Sequence, residues 1–98
     1  MRRVLARDIC YVEVLRHRLH VHTVQGVYTT PGSLADLERQ LSGMSFSRCN
    51  KGYLVNLRHI SRIKGDTVVA GGDELLISRR KRKEFLAAVT DYYGGGGR

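Results

Sequence analysis

The densest chemistry in this chain is cationic. Five cations run in a row in "SRRKRK", Ser78 to Lys83, directly before the apolar run "EFLAAV". That apolar run reads as a helix. A helix start carries partial positive charge, so each cation placed there costs some tenths of a kcal/mol. A negative group from outside the chain would offset that cost. Phosphate is the natural candidate, because free N–H groups at a helix start and nearby arginines act on it together. The plainer reading is a solvated charge run.

A second basic stretch lies between Ser45 and Lys64. It holds Arg48, Lys51, Arg58, Arg62 and Lys64 and no acid. The acids sit elsewhere: Asp36 and Glu38 in one segment, Asp66, Asp73 and Glu74 near turns. This asymmetry points to a basic surface rather than a mixed, salt-bridged one. Arg80, at a loop-to-helix junction, can reach a guanine edge with two hydrogen bonds, a contact worth about 1–3 kcal/mol in discrimination. Lys81, Arg82 and Lys83 cannot all point the same way on a helix. Some of them therefore grip phosphate or face water, with effects that are salt-sensitive and independent of sequence.

Other chemistries fit less well. "HRLHVH" brings His17, His20 and His22 near one another, with His20 and His22 alternating onto one strand face. No carboxylate or cysteine is obviously placed to complete a metal site, so no metal is expected and His20 and His22 read as a solvated face. Cys10 and Cys49 make neither a disulfide framework nor a CxxC motif. Cys49 stands between Arg48 and Lys51, and nearby cations favour a thiolate; the plainer reading is a small, partly buried strand residue. Cys10 is expected in the core. No nucleophile elbow, paired carboxylates or phosphate-binding loop is present, and "GGGG" at 94–97 has no helix after it. No enzyme activity and no cofactor are expected.

The scaffold must position these cations. With 98 residues and 42% hydrophobic content the chain suits one small domain with one core. "DICYVEV", "RLHVHTV" and "GVYTT" read as strands, with "RHR" (Arg16 to Arg18) at the first turn. In "SLADLERQL", Ser33 is the expected helix cap and Asp36 its capping-box partner. Leu34, Leu37 and Leu41 form the apolar stripe. Strands return in "FSRCN", "KGYLVNL", "HISRI", "TVVA" and "ELLIS", with turns at "KGD" and "GGD". Asn56 is expected to close a strand and bond nearby backbone. A last helix spans about Arg79 to Tyr92, burying Phe85, Leu86, Val89 and Tyr93, with Tyr92 and Tyr93 covering the end of the core. The expected domain covers 1–93, with a flexible glycine-rich tail at 94–98. The fold class is mainly β: short antiparallel strands, one short central helix and a C-terminal helix.

The segment "SFSRCNKGYLVNLRHISRI" makes the assignment specific. Its Phe, Arg, basic, small and aromatic residues before "LVN" and the spaced isoleucines resemble the LytTR family of bacterial DNA-binding domains. The resemblance extends upstream to "DICYVEV" and "GSLADLERQL" and downstream to "LLISRRKRKEFL", covering about Arg3 to Tyr92. It implies an elongated array of short strands whose loops enter successive grooves of a duplex. By motif alignment it implies base contacts from His17, from Asn50 and Lys51, and from Arg79 and Arg80. Flanking cations would hold phosphates: Arg16, Arg18, Arg48, Arg58, Lys81 and Lys83. Family members usually carry His with Arg, Lys or Asn where this chain has Asn50-Lys51; Asn pairs with adenine and Lys with guanine. The resemblance further implies two copies on paired direct repeats, a dimer on bent DNA, and a receiver domain in a longer parent chain.

Net charge is +8, from 17 basic and 9 acidic residues, and agrees with a polyanionic partner. The rival reading is an interaction module whose basic face binds an acidic protein. A membrane partner is not expected, since the cations cluster at a helix end rather than along a face. No apolar stretch approaches a span of roughly 20 residues, and "MRRVLARDICYV" lacks a signal-peptide core. The expected location is cytoplasmic.

Overall fold

A computed structural model describes residues 4–94. The first three residues and 95–98, most of the expected glycine tail, lie outside them. Eight strands and two helices follow in order: β1 (Ile9–Leu15), β2 (Arg18–Thr23), β3 (Gly26–Pro31), α1 (Leu34–Gln40), β4 (Phe46–Asn50), β5 (Tyr53–Asn56), β6 (Ile60–Lys64), β7 (Thr67–Ala70), β8 (Asp73–Leu76) and α2 (Arg79–Tyr93). Short 3-10 turns, Ala6–Asp8 and Leu57–His59, precede β1 and β6. All pairings are antiparallel. The expected class holds: mainly β, with extents of 37 × 28 × 24 Å.

The strands form two sheets. The larger has the order β3-β2-β1-β5-β4 and the smaller β6-β7-β8. In the larger sheet β1 sits centrally, which explains why Ile9, Cys10, Tyr11 and Val12 are all buried. One face packs Ile9, Val12, Leu19 and Leu54 under Leu34 and Leu37 of α1 and Leu41 just after it. The other packs Tyr11, Cys49 and Val55 against the smaller sheet and Phe85 of α2. Apolar packing thus lies on both faces of the larger sheet, where the composition suggested a single core.

Two bulges set which side chain faces which core. Strict alternation would put Ile9 with Tyr11. The register slips between them at Cys10, so Ile9 joins Val12 beneath α1 and Tyr11 faces α2. A second slip falls at Cys49, between Arg48 and Asn50. A bulge inserts one unpaired residue and re-aims its neighbours. Gly71, at φ +60, packs against the first bulge; a Cβ there would lie 2.7 Å from Cys10 Cβ. Only glycine fits such a close approach with positive φ.

Phe85 is fully buried, and burying a side chain of this size contributes about 1.5–3 kcal/mol. Asn56, 1% exposed, does more than close a strand. Its Oδ1 accepts from Arg58 N–H at 3.2 Å, and its Nδ2 donates to the Ile9 carbonyl at 2.8 Å, tying β5 to the start of β1. Ser33 Oγ accepts from Asp36 N–H at 3.1 Å, the expected cap. The reciprocal half of the capping box is not made; the Asp36 carboxylate pairs forward with Arg39 instead. Asp is one methylene shorter than the Glu or Gln that usually reaches back. Tyr93 is 53% exposed rather than part of the buried face, though its hydroxyl reaches the Leu57 carbonyl.

Candidate nucleic-acid interface

The strand register fixes where the cationic loops lie. Glu13 of β1 stands opposite Tyr53 of β5, and Val14 N–H donates to the Gly52 carbonyl at 3.0 Å. The turn at Arg16–His17 and the turn at Lys51–Gly52 therefore emerge at the same end of the larger sheet. The β8–α2 junction is tied to the second turn. Ser78 N–H donates to the Cys49 carbonyl at 2.9 Å, and Asn50 Nδ2 donates to the Leu76 carbonyl at 2.7 Å. A cleft of about 530 Å³ results, lined by Asn50, Lys51, Leu76, Ser78, Arg80 and Lys81. His17, Lys51 and Arg80 thus share one end of the molecule.

The first loop is strained. Arg16 and His17 both have positive φ, 54° and 67°. Two-residue hairpin turns with positive φ at both centres match the twist of their strands but favour Asn-Gly. For other residues this region costs on the order of 1–2 kcal/mol each. The side chains point outward from an exposed turn, so the strain serves no packing contact.

The third loop sorts its cations by helical angle. Ser78 Oγ accepts from Lys81 N–H at 3.2 Å and caps α2. Arg79, Arg80 and Lys83 are exposed; at spacings of three and four they share one face. Arg82 turns the other way. Its Nη1 donates to the Gly65 carbonyl at 3.0 Å and to Asp66 Oδ1 at 3.1 Å, holding the β6–β7 turn. Lys81 lies 3.7 Å from Glu84. Arg16, Arg18, Lys51, Arg79 and Arg80 have no acid partner among the described residues.

Several residues expected at the interface are engaged within the fold. Asn50 uses both ends of its amide: Nδ2 to the Leu76 carbonyl, and Oδ1 accepting from Gly52 N–H at 2.7 Å. Arg48 Nη1 donates to the Lys51 carbonyl at 3.1 Å. Its Nε lies 3.3 Å from Glu38 Oε1, near enough for charge pairing but not aligned for a hydrogen bond. Arg58 sits in the turn after β5, at the end of that strand opposite Lys51. Arg62 and Lys64 are exposed on β6, an edge strand of the smaller sheet, where cations discourage pairing with another chain.

The thiols and histidines settle differently from their sequence context. Cys49 is fully buried, and burial pushes its thiol up to about 12, against the lowering that flanking cations would give. His20 and His22 are half-buried rather than a solvated face. The His22 ring stacks on Tyr11 with centroids 4.1 Å apart, and its Nε2 lies 3.3 Å from Glu13 Oε1. Glu13 and Tyr11 share the phase of the His pair across the β1–β2 ladder, a signal already present in the alternation. Tyr11 hydroxyl in turn donates to Asp73 of β8 at 2.9 Å, joining the two sheets. Among the described residues no helix is long and apolar enough to cross a membrane. The exposed Leu76 in the cleft was not singled out from the sequence; only the pairing of β8 reveals it.

Comparison with known proteins identifies the family and the fold. Residues 1–90 match a family described as the LytTr DNA-binding domain. The chain is 35% identical over 57 residues to the sensory transduction protein LytT of Bacillus anthracis, and these cover 58% of this chain and 23% of that protein. It is 33% identical over the same length to the sensory transduction protein LytT of Bacillus cereus. The chain spans less than a quarter of these relatives. Its fold is similar to the LytTr DNA-binding domain of a putative methyl-accepting/DNA response regulator from Bacillus cereus. The TM-score is 0.77, with 24% identity, 88% of this chain and 84% of that chain covered.

Proposed function

This chain belongs to the LytTr DNA-binding domain family, and from that premise we propose that it binds double-stranded DNA at specific sequences in transcription regulation. The observation that carries the reading is the convergence of Arg16, His17, Arg18, Lys51, Arg79 and Arg80 at one end of the larger sheet, without acid partners among the described residues. Loops at that end enter successive grooves. Lys51 and Arg80 approach guanine O6 and N7, and His17 and Arg79 approach neighbouring base edges. Arg16, Arg18 and Lys83 hold phosphates, which position the domain without reading sequence.

The engaged residues take supporting roles in this reading. Asn50 and Arg48 hold the second loop rather than touch the duplex, Arg58 is too remote to join the others, and Lys81 divides its charge with Glu84. Two copies on paired direct repeats, and a receiver domain in a longer chain, extend the proposal. Duplexes bearing one or two selected sites would show whether a second copy binds.

Titration on random-sequence duplex at two salt concentrations tests the core of the reading. Neutralising phosphates releases counterions, so affinity should fall steeply with salt. Absence of binding at low salt would remove the proposal and favour an acidic protein partner.

A further inference from the structure

Leu76 is out of place for a leucine. Its chain neighbours Leu75 and Ile77 are each 3% exposed, whereas Leu76 is 62% exposed, the most of any large apolar side chain described. Its backbone is not free to turn it inward. The Leu76 carbonyl accepts Asn50 Nδ2 at 2.7 Å and lies 3.6 Å from Cys49 Sγ. The alternation that buries Leu75 and Ile77 holds the side chain out. It lines the same cleft as Lys51 and Arg80. Scattered single exposed leucines are ordinary. This one stands in a cleft whose other walls are polar or cationic.

A duplex offers one apolar group on its major-groove edge, the C5-methyl of thymine. We infer that Leu76 reads a thymine methyl, at a base pair next to those approached by Lys51 and Arg80. The inference rests on the DNA reading above and adds to it a base that no cation can select. Ammonium and guanidinium groups favour guanine; an aliphatic side chain in the same cleft selects thymine by removing the methyl from water. Burying one methyl corresponds to about a fourfold change in affinity.

The test replaces thymine with uracil, which deletes the methyl and keeps every hydrogen-bonding group. Sites are first selected from a random duplex pool, and each thymine of the selected site is then exchanged singly. Wild-type protein should bind about fourfold more weakly at one position. Leu76→Ala should bind thymine and uracil duplexes alike at that position, and Leu76→Met should retain the preference. A wild-type protein indifferent to uracil throughout, or a Leu76→Ala variant with the wild-type ratio, overturns the inference while leaving DNA binding intact. Failure of the wild-type protein to bind any duplex overturns both.

Discussion

Asn50 and Leu76 are 26 residues apart in the chain, yet the Asn50 Nδ2 donates to the Leu76 carbonyl at 2.7 Å. The same amide accepts from Gly52 N–H through Oδ1. One side chain therefore shapes the Lys51 turn and fastens it to the end of β8, just before α2. Two cationic loops that are distant in sequence become one rigid unit.

Asn50→Ala should lower stability by about 1–2 kcal/mol, because it removes two hydrogen bonds, an exposed one to the Leu76 carbonyl and a part-buried one from Gly52 N–H. Urea unfolding measures this. Duplex affinity should fall although Lys51 and Arg80 remain. A double-mutant cycle of Lys51→Ala with Arg80→Ala should show coupling that disappears in the Asn50→Ala background. A loss confined to one adenine position would instead make Asn50 a direct base contact.

The strained first turn predicts opposite changes in fold and function. Replacing Arg16-His17 with Asn-Gly relieves the positive φ at both positions and should raise stability by about 1–2 kcal/mol. Duplex binding should weaken at the same time. A variant that is both more stable and equally tight on DNA would separate this turn from the interface.

Three cations of α2 should behave in three ways. Arg80→Ala should flatten the preference among sequences, while Lys83→Ala should weaken all duplexes alike and reduce the salt slope by about one. Arg82→Ala should leave binding nearly unchanged and cost about 0.5 kcal/mol of stability, since its partner Asp66 is largely exposed. Identical behaviour of the three in parallel titrations would refute this division.

Cys49 predicts an alkaline limit. Its thiol has an ordinary value of 9.0 and is pushed up to about 12 by burial in the folded chain. The folded state thus holds the proton longer than the unfolded state. The resulting stability is complete below pH 9 and is lost as pH rises toward 12. Cys49→Ala should flatten that decline in denaturation measured across the same range. A thiol reagent at pH 8 should react with Cys49 only on unfolding; rapid reaction of the native protein would contradict its burial.

The order of elements was legible because it depends on neighbours in sequence. Ser33 caps α1, glycines mark the turns at 65 and 71–72, and the apolar residues of "FLAAV" recur at helical spacing. The charge asymmetry and the motif around Tyr53–Asn56 likewise pointed to DNA without coordinates. Tertiary structure decided which polar groups remain free. Arg48, Asn50 and Arg82 read from sequence as members of cationic, outward-facing stretches, yet each bonds within the fold. The bulges at Cys10 and Cys49 are invisible to a period-two reading, since one inserted residue reverses the faces beyond it. Leu76 looked like any strand leucine; which face of β8 turns outward was decided only when its pairing with β7 buried Leu75 and Ile77. Local propensity acts over a few residues, whereas hydrogen-bond partnership and burial depend on groups that only the folded chain brings together.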